Sequence, residues 1–142
     1  MSDNHIKLEM EAKPENASLS RVVTAAFLTP FDANIGEVTD IKTAVSEAVT
    51  NAIIHGYAGG PGIISMALSM NERILTIEVS DSGIGIEDIE SAKEPLFTTK
   101  PEMERSGLGF TVMESFMDSV EITSNPGTGT TVTMTRKLGE IE

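Results

Sequence analysis

Cysteine and tryptophan are absent from this 142-residue chain, and tyrosine occurs once, at Tyr57. Without cysteine there is no disulfide framework and no thiol chemistry, which fits a reducing compartment. Basic residues are scarce too: 10 Lys and Arg stand against 22 Asp and Glu, a formal net charge of -12. An acidic surface cannot neutralise a phosphate backbone, so nucleic acid is set aside as a partner. Nucleotide binding stays open, because backbone amides and a metal ion can carry phosphates. No apolar run approaches membrane-spanning length, and residues 1–11 alternate charged and apolar rather than forming a leader or anchor. The expectation is one cytoplasmic domain over residues 1–142, with no membrane partner and a two-layer core.

The segment around Glu47–Gly56 is the organising stretch. Ile41, Ala44, Val45, Ala48, Val49, Ala52 and Ile53 fall at helical spacing and predict one buried stripe. Glu47, Asn51 and His55 recur every four residues along its edge. A carboxylate, an amide and an imidazole beside an apolar seam are costly unless each has a partner, so the row suggests a site. Gly56 is expected to end the helix as a C-cap glycine.

In chain order, residues 5–11 alternate as a strand with Ile6, Leu8 and Met10 on one side. Asn16 or Ser18 is expected to cap a helix whose stripe is Leu19, Val22, Val23, Ala26 and Phe27, stopped by Pro30. Residues 31–37 read as a connection. After the central helix, strands over 63–70 and 73–81 are predicted to turn through Asn71-Glu72. Leu75, Ile77, Val79 and Asp81 share parity, which aims the aspartate toward the covering helices. Residues 87–105 read as a long loop with one helical turn near 88–92. Ser106-Gly107-Leu108-Gly109 opens a helix with Leu108, Thr111, Val112, Ser115 and Phe116 inward. Strands over 120–124 and 130–138 flank a Gly- and Pro-containing turn, with Glu121, Thr123, Thr131, Thr133 and Thr135 on a wet face. The sum is an α+β two-layer sandwich: a mixed, mostly antiparallel sheet of about five strands with three helices on one face. A P-loop is excluded, since no strand runs into a glycine-rich turn and helix carrying the lysine.

Three features can form one site. Glu47 and Asn51 offer a general base and an oxygen ligand for a hard cation. Asp81-Ser82-Gly83-Ile84-Gly85 offers an inward carboxylate and glycines that let a ligand press on backbone. The Ser106–Gly109 helix start offers amides to an anion. Singly, each is more often a turn, a cap or a solvated edge, and His55 is more often a capping histidine. Their co-occurrence, in this order, is what points to nucleotide binding.

Glu47-x-x-x-Asn51, Asp81-x-Gly83-x-Gly85 and Gly107-x-Gly109 resemble the N, G1 and G2 boxes of the GHKL (Bergerat-fold) ATP-binding superfamily. The runs Ser46–Tyr57, Pro95–Pro101 and Arg105–Phe110 are similar to bacterial anti-sigma factor serine kinases, and the length suits the sporulation members. The resemblance implies ATP or ADP with Mg²⁺ as cofactors. Asn51 would be the protein's ligand to Mg²⁺ and Glu47 the group that orients or deprotonates the attacking hydroxyl. Asp81 would bind the adenine amine, Gly83 and Gly85 would admit the base, and Thr130 would support it through water. Residues 86–105 would form a lid. Thr98, Thr99 and Lys100 would reach the γ-phosphate, and Ser106, Gly107, Leu108 and Gly109 would sit at the phosphates. The implied partners are an RNA polymerase sigma factor, which the protein sequesters, and a serine on an anti-anti-sigma factor, with a homodimer as the assembly. Arg21, on the first helix, is a candidate partner contact. The competing readings are a nucleotide-gated binding module and a simple ATPase without relevant transfer.

Overall fold

The computed structural model describes residues 3–58, 60–83, 109–125 and 127–139. Strand β1 (Asn4–Glu11) leads into helix α1 (Pro14–Leu28) and helix α2 (Ile35–Asn51). Strands β2 (Ile63–Asn71) and β3 (Ile74–Asp81), helix α3 (Gly109–Phe116) and strands β4 (Ser119–Asn125) and β5 (Gly129–Lys137) follow. The sheet order is β1-β2-β3-β5-β4. Among the described residues every pairing is antiparallel, so the expected mostly antiparallel sheet holds and its expected mixture of strand directions is corrected to a uniform one. Hairpins join β2 to β3 and β4 to β5, helices α1 and α2 lie between the paired strands β1 and β2, and α3 and β4 lie between the neighbours β3 and β5.

Alternation places Ile64, Met66, Leu68 and Met70 of β2 with Leu75, Ile77 and Val79 of β3 on the inner face. Val132 and Met134 of β5 extend that face, and α2 lays Ile41, Ala44, Val45, Ala48 and Val49 upon it. All seven residues of the predicted α2 stripe are buried. Alanine at three of those positions lets the helix axis approach the strands closely. Each fully buried Leu, Ile, Val or Met contributes about 1.5–3 kcal/mol, so this seam dominates the driving force. Among the described residues, no helix is long and apolar enough to cross a membrane.

Several local expectations change. Helix α1 starts at Pro14, two residues before the earlier predicted cap, because proline is pre-set for a first helical position. Its buried face is Ser20, Thr24, Phe27 and Leu28, while Leu19 and Val22 of the expected stripe are 46% and 65% exposed. The hydroxyls of Ser20 and Thr24 donate to the carbonyls of Ala17 and Ser20 at 2.6 and 2.8 Å, so these small residues enter the core already satisfied.

Helix α2 begins at Ile35, within the expected connection. Asn34 and Glu37 form a reciprocal capping box there: the Glu37 amide donates to Asn34 Oδ1 at 2.8 Å and the Asn34 amide to Glu37 Oε1 at 2.9 Å.

The β2–β3 turn is Glu72-Arg73 rather than Asn71-Glu72, with both residues left-handed at φ 51° and 66°. That pairing matches the twist of a two-residue hairpin but is costly without glycine. It is held by Arg73, which donates to the carbonyls of Gly139 and Phe31, both at 2.7 Å. Helix α3 turns Phe110 and Met113 inward, followed by Met117, instead of Thr111, Val112 and Ser115. Ser115 is exposed, and its hydroxyl donates to the Thr111 carbonyl. The expected loop and helical turn over 87–105 lie outside the described residues.

Candidate functional site

Asp81 closes the core-facing row of β3, opposite Ile64 of β2 and Thr130 of β5. The parity argument holds: its carboxylate is half-buried and turned toward the end of α2. A Cβ built on Gly56 would lie 2.8 Å from Asp81 Cγ and 2.9 Å from each carboxylate oxygen. Gly56 is therefore the floor under the carboxylate. It is no left-handed C-cap: α2 continues through a wider π-type turn, Ala52–Gly56, in which the Tyr57 amide donates to the Ala52 carbonyl at 3.1 Å. This turn also breaks the four-residue row, so Glu47 and Asn51 keep helical spacing while His55 does not.

The next close approach is Gly83, where a Cβ would fall 1.8 Å from the Gly56 carbonyl oxygen. No side chain fits between these two backbones. The Gly83 amide donates to Asp81 Oδ1 at 2.9 Å, fixing the carboxylate's rotamer. Burial pushes the Asp81 carboxyl above the ordinary aspartate value, against the lowering effect of the Gly83 and Thr130 amides. An ionised carboxylate has about four acceptor sites, so one that takes backbone amides from Gly83 and Thr130 retains capacity to accept from an exocyclic amine. Thr130 lies alongside, buried as its parity with Val132 and Met134 predicts, and its hydroxyl pairs with Ser124 Oγ at 2.9 Å.

Immediately before the π segment, Asn51 packs against the start of α3. A Cβ on Gly109 would meet Asn51 Nδ2 at 2.8 Å and Oδ1 at 3.0 Å. Glu47 stands a turn earlier on the same edge, half-buried. An amide oxygen beside a helix start, with a carboxylate one turn away, suits a cation bridging phosphates. Among the described residues no group of three or more His, Cys, Asp or Glu could hold a metal ion. Asn51 and Glu47 would thus supply one or two oxygens, a donor number compatible with a hard cation such as Mg²⁺.

The structure thus brings together Asp81, Gly83 and Thr130, and separately Asn51, Gly109 and Glu47, the two groups being joined by the Asn51–Gly56 turn. Gly85, Thr98, Thr99, Lys100, Ser106, Gly107 and Leu108, with the lid expected over 86–105, lie outside the described residues. Arg21 is exposed on α1, its guanidinium 3.5 Å from both Ser46 Oγ and Ser18 Oγ. Two contributors were missed: Gly56 as a packing glycine, and Tyr57, whose hydroxyl bonds the Ser82 amide at 2.7 Å. The one signal for them was the unbroken run His55-Gly56-Tyr57 directly after the polar row.

Residues 10–136 match the histidine kinase-like ATPase domain. The chain is 51% identical over 142 residues to the anti-sigma F factor of Clostridium acetobutylicum, covering 100% of this chain and 99% of that one. It is 53% identical over 137 residues to the anti-sigma F factor of Clostridium perfringens (96% and 98%) and 51% over 136 residues to that of Bacillus cytotoxicus (95% and 93%). Among solved structures, the RsbU and RsbW domains of a Mycobacterium tuberculosis protein superpose with a TM-score of 0.68. That match covers 95% of this chain and 32% of the other at 23% identity, a likeness of fold. The histidine kinase domain of a blue-light activated kinase from Erythrobacter litoralis gives 0.57 at 26% identity, over 72% and 45%. On the full-length identities and the domain match together, the chain belongs to the histidine kinase-like ATPase family and, within it, to the anti-sigma F factors.

Proposed function

We propose that this protein is a Mg-ATP-dependent serine kinase that also sequesters a sporulation sigma factor, and that the serine it phosphorylates lies on an anti-anti-sigma factor. The observation that carries the nucleotide reading is the half-buried Asp81 carboxylate, seated on Gly56 and fixed by the Gly83 amide. Asn51 at the start of α3 is the residue for Mg²⁺, whose chemistry is to neutralise charge on the transferring phosphoryl group. Glu47, on the Asn51 edge of α2, accepts the proton of the incoming serine hydroxyl or orients it. Phosphoryl transfer asks mainly for positioning and charge neutralisation, which these few groups supply. The anti-sigma F factor relatives support the sigma factor as the sequestered partner, and the cytoplasm is the proposed place of action. A homodimer is the proposed assembly.

The test is transfer from γ-labelled Mg-ATP to a purified anti-anti-sigma partner, with wild type beside Glu47→Ala. Wild type is expected to label one serine. The variant should bind ATP normally and lose about 10²–10⁴-fold in transfer rate, the range for removing a positioned base. Transfer by Glu47→Ala at the wild-type rate would remove Glu47 from the mechanism. Intact ATP binding without any transfer by wild type would favour a nucleotide-gated binding module.

A further inference from the structure

Tyr57 is the single tyrosine of the chain, and it stands where four segments meet. Its amide donates to Ala52 in the π-type turn, and its carbonyl accepts from the Gly60 amide at 2.7 Å. Its ring lies against Gly62, where a Cβ would fall 2.5 Å from three ring atoms. Its hydroxyl donates to the Ile63 carbonyl at 2.6 Å and accepts from the Ser82 amide at 2.7 Å.

Those last two partners are related by the sheet. The β2–β3 register ends at Ile64 opposite Asp81, so the next facing residues are Ile63 and Ser82. The tyrosine hydroxyl bridges this pair, bonded to one backbone group of each. The ladder is opened one residue after Asp81, and the Asp81–Gly83 backbone is turned off β2 toward Gly56. There the Gly83 amide reaches Asp81 Oδ1. We propose that Tyr57 is a positioning residue for base recognition: its hydroxyl is spliced into the end of the β2–β3 ladder and sets the Ser82-Gly83 turn that aims the Asp81 carboxylate at the adenine amine. This rests on the reading of Asp81 as the adenine acceptor.

A structural prop would affect every nucleotide equally, whereas an aiming device affects the contact that depends on aim. Inosine triphosphate keeps the ribose, the phosphates and the fused ring but has a carbonyl in place of the amine. Tyr57→Phe keeps the ring against Gly62, and the exposed positions of Ser82 N–H and Ile63 C=O admit water in place of the hydroxyl. The fold should therefore persist, as a thermal melt would verify. Gly62→Ala is the second route to the same perturbation, since its methyl displaces the ring and carries the retained hydroxyl away from its two backbone partners.

Affinities of wild type, Tyr57→Phe, Gly62→Ala and Asp81→Asn for ATP and inosine triphosphate would be measured by calorimetry, with kcat and KM for ATP. The expected result is an ATP preference in wild type that Asp81→Asn abolishes. In Tyr57→Phe and Gly62→Ala that preference should fall about fivefold, the worth of one hydrogen bond. KM for ATP should rise while kcat at saturation holds. Wild-type preference retained in both Tyr57→Phe and Gly62→Ala, or equal weakening of both nucleotides, would overturn the role of Tyr57 alone. Absence of any ATP preference in wild type would overturn the Asp81 reading and this proposal with it.

Discussion

Gly56→Ala separates what Gly56 does for the helix from what it does for the site. The residue occupies helical backbone of ordinary sign, where alanine is favoured over glycine by about 0.8–1 kcal/mol. Opposing this, the new methyl would sit 2.8–2.9 Å from all three atoms of the Asp81 carboxylate. The carboxylate has to retreat by about half an ångström to reach van der Waals distance. Its hydrogen bond from the Gly83 amide, 2.9 Å in the wild type, is strained or lost. A bond to a charged group is worth about 1.5–3 kcal/mol, part of which returns as the carboxylate moves toward water. The two effects nearly cancel in stability, and the variant without nucleotide is expected to melt within a few degrees of wild type. They do not cancel in binding. The adenine acceptor is displaced, and ATP affinity should fall by about 10–100-fold, as expected for one charge-assisted hydrogen bond. Calorimetric titration with ATP beside a thermal melt of the free protein reads both quantities. A variant that binds ATP as tightly as wild type would refute the placement of the base against Asp81.

Asp81→Asn should lower ATP affinity by a comparable about 10–100-fold while stabilising the nucleotide-free protein at neutral pH. Burial raises the folded-state pKa of Asp81 above 3.8. Below that unfolded value both states hold the proton, and stability is lost as pH rises through the folded-state value. The melting advantage of Asp81→Asn should therefore be present at pH 7 and vanish on acidification, and an advantage independent of pH would contradict the burial argument. Glu37→Gln tests the opposite sign. Burial alone raises the Glu37 pKa, but the Gly139 and Asn34 amides, with the charges of Arg136 and Arg73, outweigh it and hold the carboxyl below 4.5. Glutamine can accept only one of those two amide bonds, so the variant should lose about 1–2 kcal/mol at pH 7. The Glu37 contribution is present above pH 4.5 and disappears as pH falls through the folded-state value, so the two melting curves should converge in acid.

Much of the fold and half of the site could be read from local pattern. The α2 stripe is a strong 3.6-residue period with no competing stripe, and helical geometry then places Glu47 and Asn51 on its rim. The alternation of Leu75, Ile77 and Val79 carries directly to Asp81, because strand parity cannot change without a bulge. Where a helix offers two credible faces, periodicity misleads. In α1 it selected Leu19 and Val22 over Ser20 and Thr24, since hydroxyls that satisfy themselves on their own helix look polar in sequence and behave as small core residues. In α3 the stripe Phe110, Met113 and Met117 was as regular as the one expected, and the choice between them belongs to α2 and the sheet.

Distances between remote segments were out of reach altogether. That Gly56 is a floor for Asp81, 25 residues away in the chain, follows from the docking of α2 on β3 and from a π-type turn that no propensity announces. The left-handed Glu72-Arg73 turn is likewise set by Arg73 reaching Phe31 and Gly139. Taken alone, the sequence determined which residues share a face, which segments pair by period, and which chemical groups are available to a nucleotide. The tertiary structure decided which face turns inward and which backbones touch, because those depend on packing free energy summed over elements far apart in the chain rather than on the spacing of residues within one.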